Sequence, residues 1–112
     1  MKIYFNSKGI TVPVKKVSEF GKFSGLMFKG KNTENLLFEF RNWKTAGIHS
    51  FFVFFSFAAV WLDKKNNVVD FEVVRPFRFL VNSKKPSTKL VELPINYENR
   101  EIIEFLVGKG KI

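Results

Sequence analysis

The chain has 112 residues, a net charge of +9 and no cysteine. That length suits one domain spanning 1–112, and the missing thiols exclude a disulfide framework, a thiol nucleophile, a thiolate zinc site and a cysteine-ligated iron–sulfur cluster. With 46% hydrophobic and 26% charged residues it has the balance of a folded chain rather than a disordered one, and its single histidine is too few for a histidine-rich metal site.

The opening Met1-Lys2-Ile3-Tyr4-Phe5 lacks the apolar run and small-residue cleavage site of a secretory signal, so a cytoplasmic protein is expected. Segments 3–6 and 10–14 flank Ser7-Lys8-Gly9 and read as a hairpin in which Gly9 supplies the positive φ of the turn. Pro13 lacks an amide proton, which places the second strand at an edge or at a bulge. Ser18 can cap a short helix through Glu19, Phe20 and Phe23, limited by Gly21 and Gly25. A strand follows at 36–40. The apolar stretch 51–62 falls well short of the roughly 20 residues a membrane-spanning helix needs. Its aromatic and β-branched content predicts instead a strand buried on both faces.

Asp63-Lys64-Lys65-Asn66-Asn67 then reads as a turn into a strand at 68–74, because Asn tolerates left-handed backbone and Asp bonds nearby amides. Further strands are predicted around 75–80, after the Pro76 interruption, and at 89–93, where Pro94 closes the run. The stretch 82–87 has the composition of an exposed, mobile loop. A helix over 98–105 would share the face of Ile102, Phe105 and Leu106 and stop at Gly108. The sum is a mainly β protein: a small bent antiparallel sheet or partly closed β-barrel with one or two short helices. Closure would hide sheet edges and two-sided apolar strands together.

Most of the positive charge, +6 of the +9, falls in residues 1–31. Its carriers are Lys2, Lys8, Lys15, Lys16, Lys22, Lys29 and Lys31. Lysine is a point charge that suits phosphates but lacks the fork with which arginine reads base edges, so nucleic-acid binding there would be sequence-tolerant. The competing reading is that these lysines solubilise a very apolar small protein. Fifteen of the residues are Phe, which predicts a phenylalanine-rich core, although exposed rings of the same type serve as base-stacking platforms.

From Gly25-Leu26-Met27-Phe28-Lys29 onward the sequence resembles the proteins grouped as domain of unknown function family 192. The pieces follow in order. Leu37-Phe38-Glu39-Phe40 comes first, then Ile48-His49-Ser50-Phe51-Phe52, then Val60-Trp61-Leu62-Asp63 before a polar turn and Val68-Val69. Arg75-Pro76-Phe77-Arg78 and Val91-Glu92-Leu93-Pro94 complete the series, and the resemblance covers about residues 8–112. It implies a mostly β fold with a short helical element before the glycine-led motif, and it implies no activity. Where members of that family commonly carry Met, Pro and Asp in the central segment, this chain has Val53, Ser56 and Ala58, so no role of that acid transfers here.

Among candidate site residues, His49 has the titration range of a proton shuttle or metal ligand. It stands alone at the start of an apolar strand, which fits a hydrogen-bonded structural residue; an enzyme using His49 is the third functional alternative. Asp63 and Asp70 read as turn formers rather than metal ligands. Glu98, Glu101 and Glu104 recur at helical spacing and read as a solvated helix face. No serine stands in a nucleophile elbow, and Gly21, Gly25, Gly30, Gly108 and Gly110 do not form a phosphate loop. No cofactor and no metal are expected. The remaining constellation is Lys29, His49, Arg75, Phe77 and Arg78. If strand alternation puts Arg75 and Phe77 on one sheet face, a cation and a ring sit together for an anionic or planar ligand, or else for cation–π packing at the end of the sheet. The reading is a non-enzymatic binding or interaction module of unknown ligand, with nucleic-acid binding by the lysines as the alternative.

Overall fold

The computed structural model describes residues 1–17, 29–44, 47–48, 53–78 and 81–108. Its centre is a five-stranded sheet in the order β3-β4-β9-β6-β7, formed by β3 (Lys15–Lys16), β4 (Leu36–Lys44), β9 (Ser87–Pro94), β6 (Phe57–Leu62) and β7 (Val68–Val74). A hairpin of β1 (Lys2–Phe5) and β2 (Lys8–Thr11) and a small pair of β5 (Gly47–Ile48) and β8 (Val81–Asn82) stand beside it. The mainly β expectation holds. The sheet is antiparallel except at one edge, where β3 runs parallel to β4. It is open rather than closed into a barrel, with β3 and β7 as its edges.

The reason an open sheet suffices lies in β6, all six of whose residues are buried. Alternation sends Phe57, Ala59 and Trp61 to one face, where they cluster with Leu36, Phe38, Val53, Val74, Val81 and Leu90. Ala58, Val60 and Leu62 point to the other, against Leu37, Val91, Leu93, Ile3 and Val12 of the N-terminal segment, and Ile102 and Leu106 of the helix. Hairpin and helix thus cover one face without barrel closure. Each large apolar side chain sealed this way contributes roughly 1.5–3 kcal/mol. The described core is chiefly aliphatic with Trp61. Phe38 and Phe57 are buried, Phe5, Phe40, Phe55, Phe71 and Phe105 are half-buried and pack against the two clusters, and Phe54 and Phe77 are exposed.

Local chemistry sets the turns. Asn6 and Ser7 both have positive φ, 53° and 66°, as a two-residue type I′ hairpin demands. Gly9 therefore does not make the turn. It lies on β2 opposite Tyr4, where an added Cβ would stand 3.1 Å from the Tyr4 ring and 2.7 Å from Lys2 Cε; its role is close approach. Pro13 follows the end of β2 rather than sitting in an edge strand or bulge, and backbone pairing with Met1 stops at Val12.

The Asp63 turn forms as expected. Asp63 Oδ1 accepts from the amides of Lys65 and Asn67, and Asn66 takes φ 67°. Asp70, by contrast, is within β7 and accepts from the amide of Lys84 at 2.8 Å, tying a loop to the sheet. That loop is exposed at Lys84, Lys85 and Pro86 but buried at Ser83 and Ser87.

The segment 51–62 forms its two-sided buried strand over part of its length, as β6; 53–56 are not strand, and 51–52 lie outside the described residues. Two further expectations are corrected. Around 75–80 the described residues make a turn at Pro76–Phe77 rather than a strand, while 79–80 lie outside the described residues and β8 spans Val81–Asn82. The helix α1 spans Arg100–Val107, starting two residues later than predicted; it buries Ile102, Ile103 and Leu106 and stops at Gly108, whose φ is 93° and whose amide donates to the Glu104 carbonyl. The helix expected from Ser18 lies outside the described residues.

Candidate functional site

Beyond the row in which Phe57 pairs with both Val74 and Pro94, β6 has just begun and β7 and β9 have just ended. Past this row the Ile95 amide still donates to the Ser56 carbonyl and Val53 stays buried, but Phe54 and Phe77 do not. Phe54 is 61% exposed and Phe77 53% exposed, and the two rings meet edge to face with centroids 5.5 Å apart. Phe77 has φ 61°. With Pro76 before it and a positive φ at the third position, residues 75–78 have the arrangement of a type II turn, where glycine is normally required. A bulky side chain in that region is strained.

The turn brings the chain at Arg75 to within about 7 Å of Arg78. Both arginines are exposed, and each also interacts elsewhere in the molecule. The sequence reading had Arg75 and Phe77 sharing a face by strand alternation; the chain instead makes a tight turn at Pro76–Phe77, with Arg75 and Arg78 at its two ends. At the same end of the sheet, past Pro94, Tyr97 is 76% exposed with the Arg100 guanidinium 4.1 Å from its ring centroid. The Tyr97 hydroxyl beside Arg100 holds that guanidinium above its usual range.

Lys29 is exposed on the segment that leads to β4. His49 lies outside the described residues. Of the N-terminal lysines, Lys2 and Lys8 are on the β1–β2 hairpin, Lys15 and Lys16 on the edge strand β3, and Lys29 and Lys31 on the approach to β4. All six are exposed, and Lys16 stands 3.4 Å from Glu39. Lys22 lies outside the described residues. Glu101 is exposed and Glu104 half-buried on α1, while Glu98 precedes the helix and is exposed.

Two polar features escaped the sequence reading. Glu92 sits mid-sheet on β9 between Leu36 and Ala59, 6% exposed, with Oε1 lacking a hydrogen-bond partner among the described residues. Burial pushes its carboxyl up to about 7, against the opposing charge of Lys29. The other is a cleft of about 220 Å³ lined by Pro13, Thr33, Glu34, Asn35, Glu98 and Asn99, among others. At its base Asn35 and Asn99 exchange amide hydrogen bonds of 3.0 and 2.7 Å and reach the carbonyls of Pro13 and Pro94. Those amides are occupied with one another and with the backbone, so the cleft reads as a tie between the helix start and the sheet. The signal for Glu92 was the pattern Val91-Glu92-Leu93 in a strand flanked on both sides; for the Asn pair, separated by 64 residues, the sequence carries none.

The apolar surroundings also account for Ala58. It is 1% exposed, pairs with Val73 and Leu93, and belongs to the cluster of Val60, Leu62 and Ile102. A carboxylate there would be buried among hydrocarbon.

No family model and no curated protein matches the sequence. Solved structures do match in fold. A protein of Sinorhizobium meliloti 1021 described as a candidate transcription regulator superposes with a TM-score of 0.72 at 15% identity, over 83% of this chain and 77% of its own. A protein of unknown function from Novosphingobium aromaticivorans DSM 12444 superposes with a TM-score of 0.70 at 12% identity, over 90% and 75% respectively. At such identities the likeness shows a shared fold.

Proposed function

We propose that the protein is a small, cytoplasmic, non-enzymatic binding module whose ligand carries both negative charge and a planar ring. The ligand is held at the open end of the sheet by Arg75, Phe77 and Arg78 with Phe54 and Lys29; His49, the remaining member of the group read from the sequence, lies outside the described residues. One observation carries this reading: two phenyl rings, each more than half exposed, meet edge to face, and one of them sits on a strained turn with an arginine at either end. Exposed rings of this kind contribute little to the core and offer a face to a planar partner.

The test is titration with anilinonaphthalene sulfonate, an anionic aromatic probe whose emission rises on binding. Wild type is expected to enhance its fluorescence, and Phe77→Gly and Phe54→Ala to lose most of the enhancement. Equal enhancement by all three proteins would remove the site.

A second reading rests on the exposure of Lys2, Lys8, Lys15, Lys16, Lys29 and Lys31: sequence-tolerant nucleic-acid binding through the N-terminal quarter, which should weaken steeply with added salt. A divergent kinship with domain of unknown function family 192 is also proposed. In its support, three of the matching segments fall on strands: Leu37–Phe40 within β4, Val60–Leu62 within β6 and Val91–Pro94 within β9.

A further inference from the structure

Among the described residues the exposed large hydrophobic side chains are Tyr4, Phe54, Val73, Phe77 and Tyr97. Three of these, all aromatic, lie at one end of the sheet. Arg75, Arg78 and Arg100 are three of the four arginines in the chain, and they lie at that end too. Resting on the reading of this end as the binding surface, we infer that Phe54, Phe77 and Tyr97 with Arg75, Arg78 and Arg100 take single-stranded nucleic acid, bases stacking on the rings and phosphates meeting the guanidinium groups.

Three arguments select this ligand. Every nucleobase has a flat π-face, and stacking on exposed aromatic side chains is the general means of holding unpaired bases without reading their order. A duplex hides those faces within its own stack, so rings on a protruding turn can engage only a single strand. Arginine strengthens the arrangement because its plane both stacks and pairs with phosphate, and Arg100 already lies over the Tyr97 ring.

Charge separates this ligand from an acidic peptide. A net +9 on 112 residues draws a polyanion along its whole length. Lys29 and Lys31 reach the same end of the sheet, because the Lys31 carbonyl accepts from Asn96 Nδ2 at 2.8 Å. The residues preceding β4 stand about 14 Å, three strand spacings, from the end of β7. Glu34 and Glu98 on the neighbouring cleft, with Glu101 and Glu104 acting on Arg100, repel phosphate there and favour a backbone path on the side of Arg75 and Arg78.

The strain at Phe77 is an independent pointer. Its position favours glycine, and its ring is more than half exposed and meets Phe54, itself exposed, so among the described residues it stands outside both core clusters. Backbone strain of this kind gathers at ligand-binding positions.

The experiment measures fluorescence anisotropy of labelled oligothymidylate at low salt, with thermal melts of each protein alongside. Wild type should bind the single strand more tightly than a duplex of equal length. Phe77→Gly should weaken binding about tenfold while melting at or above the wild-type temperature. Arg75→Ala combined with Arg78→Ala should reduce the slope of log affinity against log salt by about two.

Oligothymidylate left unbound, while anilinonaphthalene sulfonate still requires Phe77, would overturn the nucleic-acid assignment and leave the binding site standing. Failure of both probes would end both readings. Equal binding of the oligonucleotide by wild type, Phe77→Gly and the double arginine variant would place the contact on the lysines and refute this site. Equal affinity for duplex, or Phe77-dependent binding of a Glu/Tyr copolymer in place of the oligonucleotide, would refute the single-stranded ligand. Should Phe77→Gly melt well below wild type, Phe54→Ala decides: retained oligonucleotide affinity in that variant refutes the stacking role.

Discussion

Phe57 and Phe77 are the same residue twenty positions apart, and their surroundings could hardly differ more. Phe57 opens β6 with a strand on each side and is 1% exposed; Phe77 follows β7, on a turn with positive φ, and is 53% exposed. The phenyl group is equally hydrophobic in both places. What differs is pairing: β6 gains a neighbour on either edge and a packed layer above and below, while the turn after Val74 gains none. Stability therefore concentrates at the centre of the sheet, and the exposed end adds little to it.

The contrast is broken most directly at Trp61, which is fully buried on β6. Trp61→Ala should cost about 3–5 kcal/mol, read from the urea midpoint and slope; a cost below about 1 kcal/mol would show that the centre of the sheet is not where stability resides.

Glu92, two strand rows from the end, gives the next largest effect through pH. Below the ordinary carboxyl range the group is protonated whether the chain is folded or not. As pH rises from 4.5, the unfolded chain releases that proton while the folded one keeps it until about 7. The native state thus binds more protons across this window and loses stability as pH climbs through it, by about 3 kcal/mol in all. Glu92→Gln should flatten the dependence, matching wild type near pH 4 and exceeding it at pH 8. An unchanged slope in urea melts across the window would place the titration elsewhere.

The smallest change is expected at Phe77. Phe77→Gly relieves a positive φ at a gain of about 1 kcal/mol and gives up a ring pair worth about 0.5–1.5 kcal/mol, so the two nearly cancel. A loss above about 2 kcal/mol in the same melts would put Phe77 in one class with Phe57 and dissolve the contrast.

Features set by neighbouring residues could be read from the sequence. The Asp63–Asn67 turn was legible because Asp63 bonds amides two and four residues ahead, and α1 because Ile102 and Leu106 repeat at helical spacing before Gly108. Features set by distant partners could not. The two residues of β3 form a strand only because β4 lies parallel to them, and Asn99, a natural helix cap by type and place, turns its side chain to Asn35 and Pro94 instead. The residues 75–78 were misread for a further reason: alternating charge and ring imitates a strand, and nothing in the letters marks the positive φ at Phe77. Neither the turn at 75–78 nor the route of the chain past Pro94, which leaves Tyr97 exposed with Arg100 over its ring, could be read from the letters.

The edge strand β7 has a bearing on how copies of the protein behave when crowded. The turn that leads into it is covered where the Tyr4 amide donates to the Asn66 carbonyl, and the strand itself carries Asp70 and Glu72 two residues apart, on one face. A second copy aligning antiparallel on that margin would set carboxylates against carboxylates, so the sheet resists growing by recruitment of its own kind and is guarded against fibril formation.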